Sequence, residues 1–253
     1  MMRMTETVKQ LLIINIIFYI GSAMTVPMSY ELFSLYFPWN ENFQWWQPIT
    51  HMFMHAQMPN LMHIFFNMFG LVMFGSALEH FWGWKKFLFF YISCGLGAAL
   101  VHTGMNYYEY HQGVVYLESI GYIDQLKTIL ETGSINFRSQ SENIDMEILK
   151  RMYEAYHIPA VGASGALYGI LVAFAFMFPN AELMLLFIPV PIKAKYFVPG
   201  LVAIDLYMGI TGASLLGGGG GIAHFAHVGG ALFGFLMMWY WKKNQFDKNR
   251  WDK

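Results

Sequence analysis

Ser164 stands in Gly162-Ala163-Ser164-Gly165, opening an apolar run of about the length that crosses a bilayer. A hydroxyl there ordinarily bonds back to a carbonyl one turn earlier. Two other apolar segments also carry polar groups suited to chemistry. His63 and Asn67 share a helical face at i, i+4 spacing, and His227 precedes Gly230 and Gly234 on one face. A serine cuts an amide or ester only when a base takes its proton and donors stabilise the oxyanion. In that scheme Ser164 is the nucleophile and His227 the base, while Gly162, Ala163 and Gly165 leave room for a substrate backbone. His63 and Asn67, buried unpaired, would each cost a few kcal/mol, and an oxyanion is a natural partner. The helix start at Ser164 adds free N–H groups and a positive dipole end. Tyr168, one turn on, can pack against the imidazole and hold its orientation.

The elements that must position these residues are membrane spans. The chain has 253 residues, 56% hydrophobic and 12% charged, with a mean hydropathy of +0.39. A soluble domain carries about twice that charged fraction. The apolar blocks predict an all-α membrane protein with six spans near 8–28, 61–79, 86–105, 161–178, 196–215 and 222–241. No convincing small-residue cleavage site follows the first span, which is read as retained. With the N-terminus cytoplasmic, only Lys127, Arg138, Lys150 and Arg151 of the 15 Lys and Arg fall on the outer side. That asymmetry predicts an N-in, C-in topology with a cytoplasmic tail at 242–253. A net charge of −1 gives no reason to expect nucleic acid. Cys94, the single cysteine, excludes an intrachain disulfide and a cysteine zinc site, and sits beside Gly95 and Gly97 as a small packing residue.

This topology places the aromatic-rich 29–60 loop outside, at headgroup level. The polar stretch 106–160 is an outer insertion whose last part is helical, with Ser141 as N-cap. Ser164, His227 and His63 fall at similar depth in the outer leaflet. The small stripe Gly165, Gly169, Ala173 matches Gly230 and Gly234, so spans four and six are expected to pack together.

In His63-Ile64-Phe65-Phe66-Asn67, Gly162-Ala163-Ser164-Gly165 with Tyr168, and Ala226-His227-Val228-Gly229-Gly230 with Gly234, the chain resembles the rhomboid intramembrane serine proteases. The resemblance covers almost the entire six-span core, making residues 1–253 a single rhomboid-type domain with an extracytoplasmic insertion between spans three and four. It implies a Ser–His dyad without an aspartate. Ser164 attacks, His227 acts as base, and His63, Asn67 and the Ser164 backbone N–H bind the oxyanion. It also implies transmembrane protein substrates cut in or near the outer leaflet, with no cofactor and no metal, in a multi-pass protein of the bacterial cytoplasmic (inner) membrane. Many members have Trp-Arg in the first outer loop where this chain has Trp46-Gln47, and the insertion exceeds the short connection of minimal members.

Rival readings remain at several positions. His224 shares a face with His227 and lies nearer the water, so it is the alternative base. His51 and His55 have chelating spacing but no acid between them as in H-E-x-x-H, which favours structural roles. Asp205, an acid deep in a span, is expected to tie span five to a neighbour; a gate, a proton role or orienting His227 are the alternatives. Gly217 to Gly221 read as a flexible cap over the site or as a linker. A zinc or two-aspartate protease lacks its residues here, and a transporter lacks its repeat. A catalytically silent rhomboid-like protein binding membrane clients is the serious alternative.

Overall fold

The computed structural model describes residues 3–57, 61–136, 144–185, 188–212 and 222–244. Its helices are α1 (Glu6–Met24), α2 (Met28–Phe33), α3 (Gln47–Thr50), α4 (Leu61–Gly70), α5 (Ser76–Trp82), α6 (Trp84–Ser119), α7 (Leu126–Thr132), α8 (Met146–His157), α9 (Ser164–Met177), α10 (Ala194–Thr211) and α11 (Ile222–Asn244). A π-helical stretch, Leu71–Gly75, joins α4 to α5 as one apolar helix. Among the described residues, three helices are long and apolar enough to cross a membrane: Glu6–Met24, Leu61–Trp82 and Trp84–Ser119. The apolar α9 is shorter, at 14 residues. An antiparallel hairpin of β1 (Glu182–Leu185) and β2 (Ile188–Lys193) leads into α10, where the sequence showed only a connection.

A helix stands at each of the six expected positions, with altered ends. The first stops at Met24, before Pro27, which removes a backbone donor. The third does not end near 105 but runs on to Ser119. Its polar extension keeps one apolar stripe, in which Leu117 and its partly buried neighbours Tyr110 and Val114 join Tyr122, Ile129, Leu149 and Met152 in a small second core. The 106–160 stretch is therefore partly a continuation of α6 on which α8 packs, with α7 against α8. Asp145 caps α8, accepting from the Glu147 and Ile148 N–H groups at 3.0 and 3.4 Å. Ser141, Gly217 to Gly221 and the tail beyond 244 lie outside the described residues.

The N-terminus of α1 is held by an acid from another helix. Glu79 of α5 accepts from the Thr7 and Val8 N–H groups at 3.1 and 3.0 Å and from the Thr5 hydroxyl. A carboxylate is favoured there because the first N–H groups of a helix have no partner within it.

At the centre, α9 and α11 meet backbone to backbone, as the two glycine stripes predict. A Cβ on Gly230 would lie 1.8 Å from the Gly165 carbonyl oxygen, and one on Gly234 2.6 Å from Gly169 Cα. Helix α6 closes the third side: a Cβ on Gly169 would sit 2.2 Å from Cys94 Sγ, and one on Gly165 2.4 Å from Ala98 Cβ. Cys94 is thus a buried packing residue. Because a carbonyl oxygen cannot swing aside as a side chain can, Gly230→Ala must push the helices apart. Overpacking of this kind costs about 1–3 kcal/mol or more. Gly230→Ala is expected to lower the melting midpoint in detergent and to abolish labelling of Ser164 by a serine-directed fluorophosphonate. Gly104→Ala, where a Cβ would meet nothing within 4 Å, is expected to change neither.

Candidate active site

The chain reaches Ser164 along a segment fixed by the 29–60 loop. Leu35 and Ala160 exchange two backbone hydrogen bonds of 2.9 Å, and the Gly162 N–H donates to the His51 carbonyl at 2.9 Å. The loop is pinned in turn by Gln47, which is fully buried. Its amide donates to the Glu31 and Asn42 carbonyls at 2.9 and 2.8 Å and accepts from the Tyr36 N–H at 3.2 Å. Trp46 Nε1 adds a bond to the Leu32 carbonyl at 2.8 Å. The residue that departs from the Trp-Arg pattern is therefore a three-way anchor made with a neutral side chain.

Gly162 has φ of 123°, a conformation strained for any side chain. A Cβ there would lie 3.1 Å from His63 Nε2 and 3.5 Å from Ser164 Oγ. Glycine thus keeps open the space between the serine oxygen and that imidazole. His63 Nδ1 accepts from the Ala56 N–H at 3.0 Å, so its ring proton resides on Nε2, the nitrogen facing this space. Asn67, expected as an oxyanion donor, here engages its own helix. Its amide donates to the His63 carbonyl at 2.7 Å, and its buried Oδ1 has no partner among the described residues.

Ser164 and His227 meet. Ser164 Oγ lies 2.8 Å from His227 Nε2, between the first turn of α9 and the first turns of α11. Tyr168 stacks on the His227 ring at 4.4 Å between centroids and 8° between planes, as its place one turn after Ser164 predicts. His224 does not contact Ser164 in this way; its Nδ1 lies 2.5 Å from Asp205 Oδ1.

Asp205 is the residue whose partners the sequence did not reveal. It is buried on α10, and its Oδ1 also lies 3.2 Å from His227 Nδ1, while the Tyr168 hydroxyl donates to its Oδ2. It does tie α10 to its neighbours, as expected, but those neighbours include His227 and the residue stacked on it. An acid inside a span was a signal for a function; the partners lie on other helices, where spacing along the chain carries no information. The ligand atoms of Asp205, His224 and His227 lie within 4.8 Å of one another, the described grouping with the proximity a metal would need. Here both histidines are hydrogen-bonded to the carboxylate. His51 and His55 instead donate from Nδ1 to the Gln47 and Phe53 carbonyls at 3.0 and 3.2 Å, which gives them structural roles in the loop.

Comparison with known proteins places these residues in a known setting. The family model described as the Rhomboid domain matches residues 42–244. The chain is 28% identical over 203 residues to the rhomboid protease AarA of Providencia stuartii, covering 76% of this chain and 54% of that protein. It is 39% identical over 85 residues to the mitochondrial Rhomboid protein 1 of Saccharomyces cerevisiae, covering 34% of this chain and 23% of that protein. The matched parts thus span about half of the one relative and under a quarter of the other.

The loop that braces the site carries a pH dependence of its own. Burial holds the His51 and His55 imidazoles down at about 4, so both are neutral in the folded protein near neutral pH. The unfolded chain takes up their protons near the ordinary value of about 6.5. Stability is therefore independent of these groups above about pH 6.5 and falls as pH drops toward 4, by up to about 3 kcal/mol for each. Melting midpoints of detergent-solubilised protein at pH 7.5, 6 and 4.5 check this. His55→Phe, which removes one protonation site without emptying its volume, is expected to flatten the decline, and an unchanged slope refutes the assignment to His55.

Proposed function

The chain belongs to the rhomboid family, and from that membership we propose that it is an intramembrane serine endopeptidase using Ser164 and His227 on transmembrane protein substrates. Membership and the apolar helices make it an integral membrane protein. The observation that carries the enzymatic reading is the 2.8 Å approach of Ser164 Oγ to His227 Nε2, a nucleophile with its base already in hydrogen-bond reach.

The reaction follows from these groups. Ser164 Oγ bonds to the scissile carbonyl carbon while its proton passes to His227 Nε2. The carbonyl oxygen becomes an oxyanion, and the space above Gly162 puts it against the Nε2–H of His63. The Ser164 backbone N–H, at the positive end of α9, is a second donor. Asn67 joins them if its amide turns from the His63 carbonyl, a rotation that also relieves its unpartnered Oδ1. The imidazolium then gives its proton to the leaving amine, and water repeats the sequence in reverse to free Ser164.

In this reading the protein crosses the membrane six times, N-in and C-in, with the 106–160 insertion outside. The length of α9 supports placing Ser164 within the outer leaflet. Its 14 residues rise about 21 Å, short of the roughly 30 Å hydrocarbon core. With its far end at the inner boundary, its first residue lies about 9 Å inside the hydrocarbon on the outer side. A substrate helix must then expose its carbonyl inside the membrane.

Cleavage of a fluorogenic transmembrane peptide by the full chain in liposomes tests this reading. Ser164→Ala and His227→Ala are expected to abolish turnover while membrane insertion persists, and His224→Ala to lose far less. His63→Ala is expected to lower the rate by about 10² to 10³ yet keep fluorophosphonate labelling of Ser164. Turnover by Ser164→Ala at the wild-type rate refutes the reading, and wild-type protein that never cleaves or labels points to a client-binding member instead. Activity is also expected to survive EDTA and to be blocked by isocoumarins; zinc-restored loss with EDTA would overturn the serine assignment.

A further inference from the structure

We infer that Asp205 is a positioning residue for the proposed reaction, making Ser164, His227 and Asp205 a three-residue relay drawn from α9, α11 and α10. The inference rests on the protease reading and goes beyond the two-residue site it implies. Three observations carry it. Asp205 Oδ1 lies 3.2 Å from His227 Nδ1, on the side of the ring opposite the 2.8 Å contact to Ser164. The Tyr168 hydroxyl donates to the other carboxylate oxygen while the Tyr168 ring stacks on the same imidazole. His224 Nδ1 takes the first oxygen at 2.5 Å from another side.

An ionised carboxylate only accepts hydrogen bonds, so the nitrogens facing it must carry hydrogen. The proton on His227 is thereby fixed at Nδ1, and Nε2 is left with the lone pair that must accept the Ser164 proton. Without a group at Nδ1, the imidazole would also populate the opposite tautomer, whose Nε2–H cannot act as base. When His227 takes the serine proton, its positive charge forms beside a buried carboxylate. Asp205 itself keeps its charge throughout: the proton moves from Ser164 Oγ to His227 Nε2 and on to the leaving amine. Tyr168 contacts both the ring plane and the carboxylate, so a flip of the imidazole breaks its bond to Asp205 and a tilt loses its stacking on Tyr168.

A simple tether between helices makes a different prediction, and a double-mutant cycle separates the two. Full-length protein in liposomes is assayed with a fluorogenic transmembrane peptide, and by the rate of fluorophosphonate labelling of Ser164, for Asp205→Asn, Asp205→Glu, His227→Ala and the Asp205→Asn/His227→Ala pair. Asp205→Asn is expected to lower kcat by about 10²-fold or more with KM changed less than about twofold, because a wrong tautomer disables the base and not binding. Asp205→Glu is expected to recover part of the rate. In the His227→Ala background, Asp205→Asn is expected to cause no further loss of labelling, since it acts through the ring already removed. A wild-type kcat for Asp205→Asn, with His227→Ala inactive, overturns the inference and leaves the protease reading standing. Equal losses in both backgrounds, with a lowered melting midpoint, make Asp205 a tether only. Full turnover by His227→Ala would instead refute the reading on which the inference rests.

Discussion

Everything at the site depends on how closely the backbones of α9 and α11 approach. Water drives apolar surfaces together, but lipid gives a helix no such reason to leave it, so association in a membrane rests on packing and polar contacts. The glycines of the two helices let carbonyl and Cα atoms of α9 touch α11 directly. Ser164 is the neighbour of Gly165, and His227 precedes Gly230 by one turn. The contact that holds the helices is thus one turn from the contact between hydroxyl and imidazole. Any widening of the first lengthens the second, and a hydrogen bond of 2.8 Å tolerates only a few tenths of an ångström before it weakens.

The 29–60 loop serves the same end from the other side. Polar atoms removed from water must find partners inside the protein, and Gln47 meets that demand by binding three backbone groups of the loop at once. The loop then lends its own backbone to the segment before Ser164, through Leu35 and His51. Ala56, at its far end, sets the tautomer of His63. A loop so braced fixes both the approach to Ser164 and the His63 donor facing it, without contributing a side chain to the Ser164–His227 contact.

The approach of Ser164 to His227 and the packing of the glycine stripes were legible in the sequence because each signal is local. A helix converts spacing into a shared face, and small residues at i, i+4 mark a close approach whatever the partner is. The sequence failed where the information lies between elements. The extension of α6 to Ser119 read as the start of a separate polar insertion because its polar residues hide the one face that packs on α8. Gln47 read as a missing arginine because an amide's value depends on where three distant carbonyl and N–H groups stand. Asp205 read as a tether, and it is one, but its partners, Tyr168, His224 and His227, could not be named because they lie on two other helices.

That last residue also joins fold and site energetically. A carboxylate withdrawn from water is costly unless several donors replace its hydration, and here Tyr168 and the two histidines do so. The donors come from α9 and α11, and the acceptor from α10. The remaining length of α10 turns Tyr196, Tyr207 and Ile210 outward, so much of its surface gives it no hold on the core. If α10 moves away, the charge leaves its three donors together and His227 loses the group at Nδ1. The seating of α10 and the protonation pattern of the proposed base are therefore one equilibrium. A substrate that displaced this helix would have to stabilise the opened state by as much as those contacts stabilise the closed one.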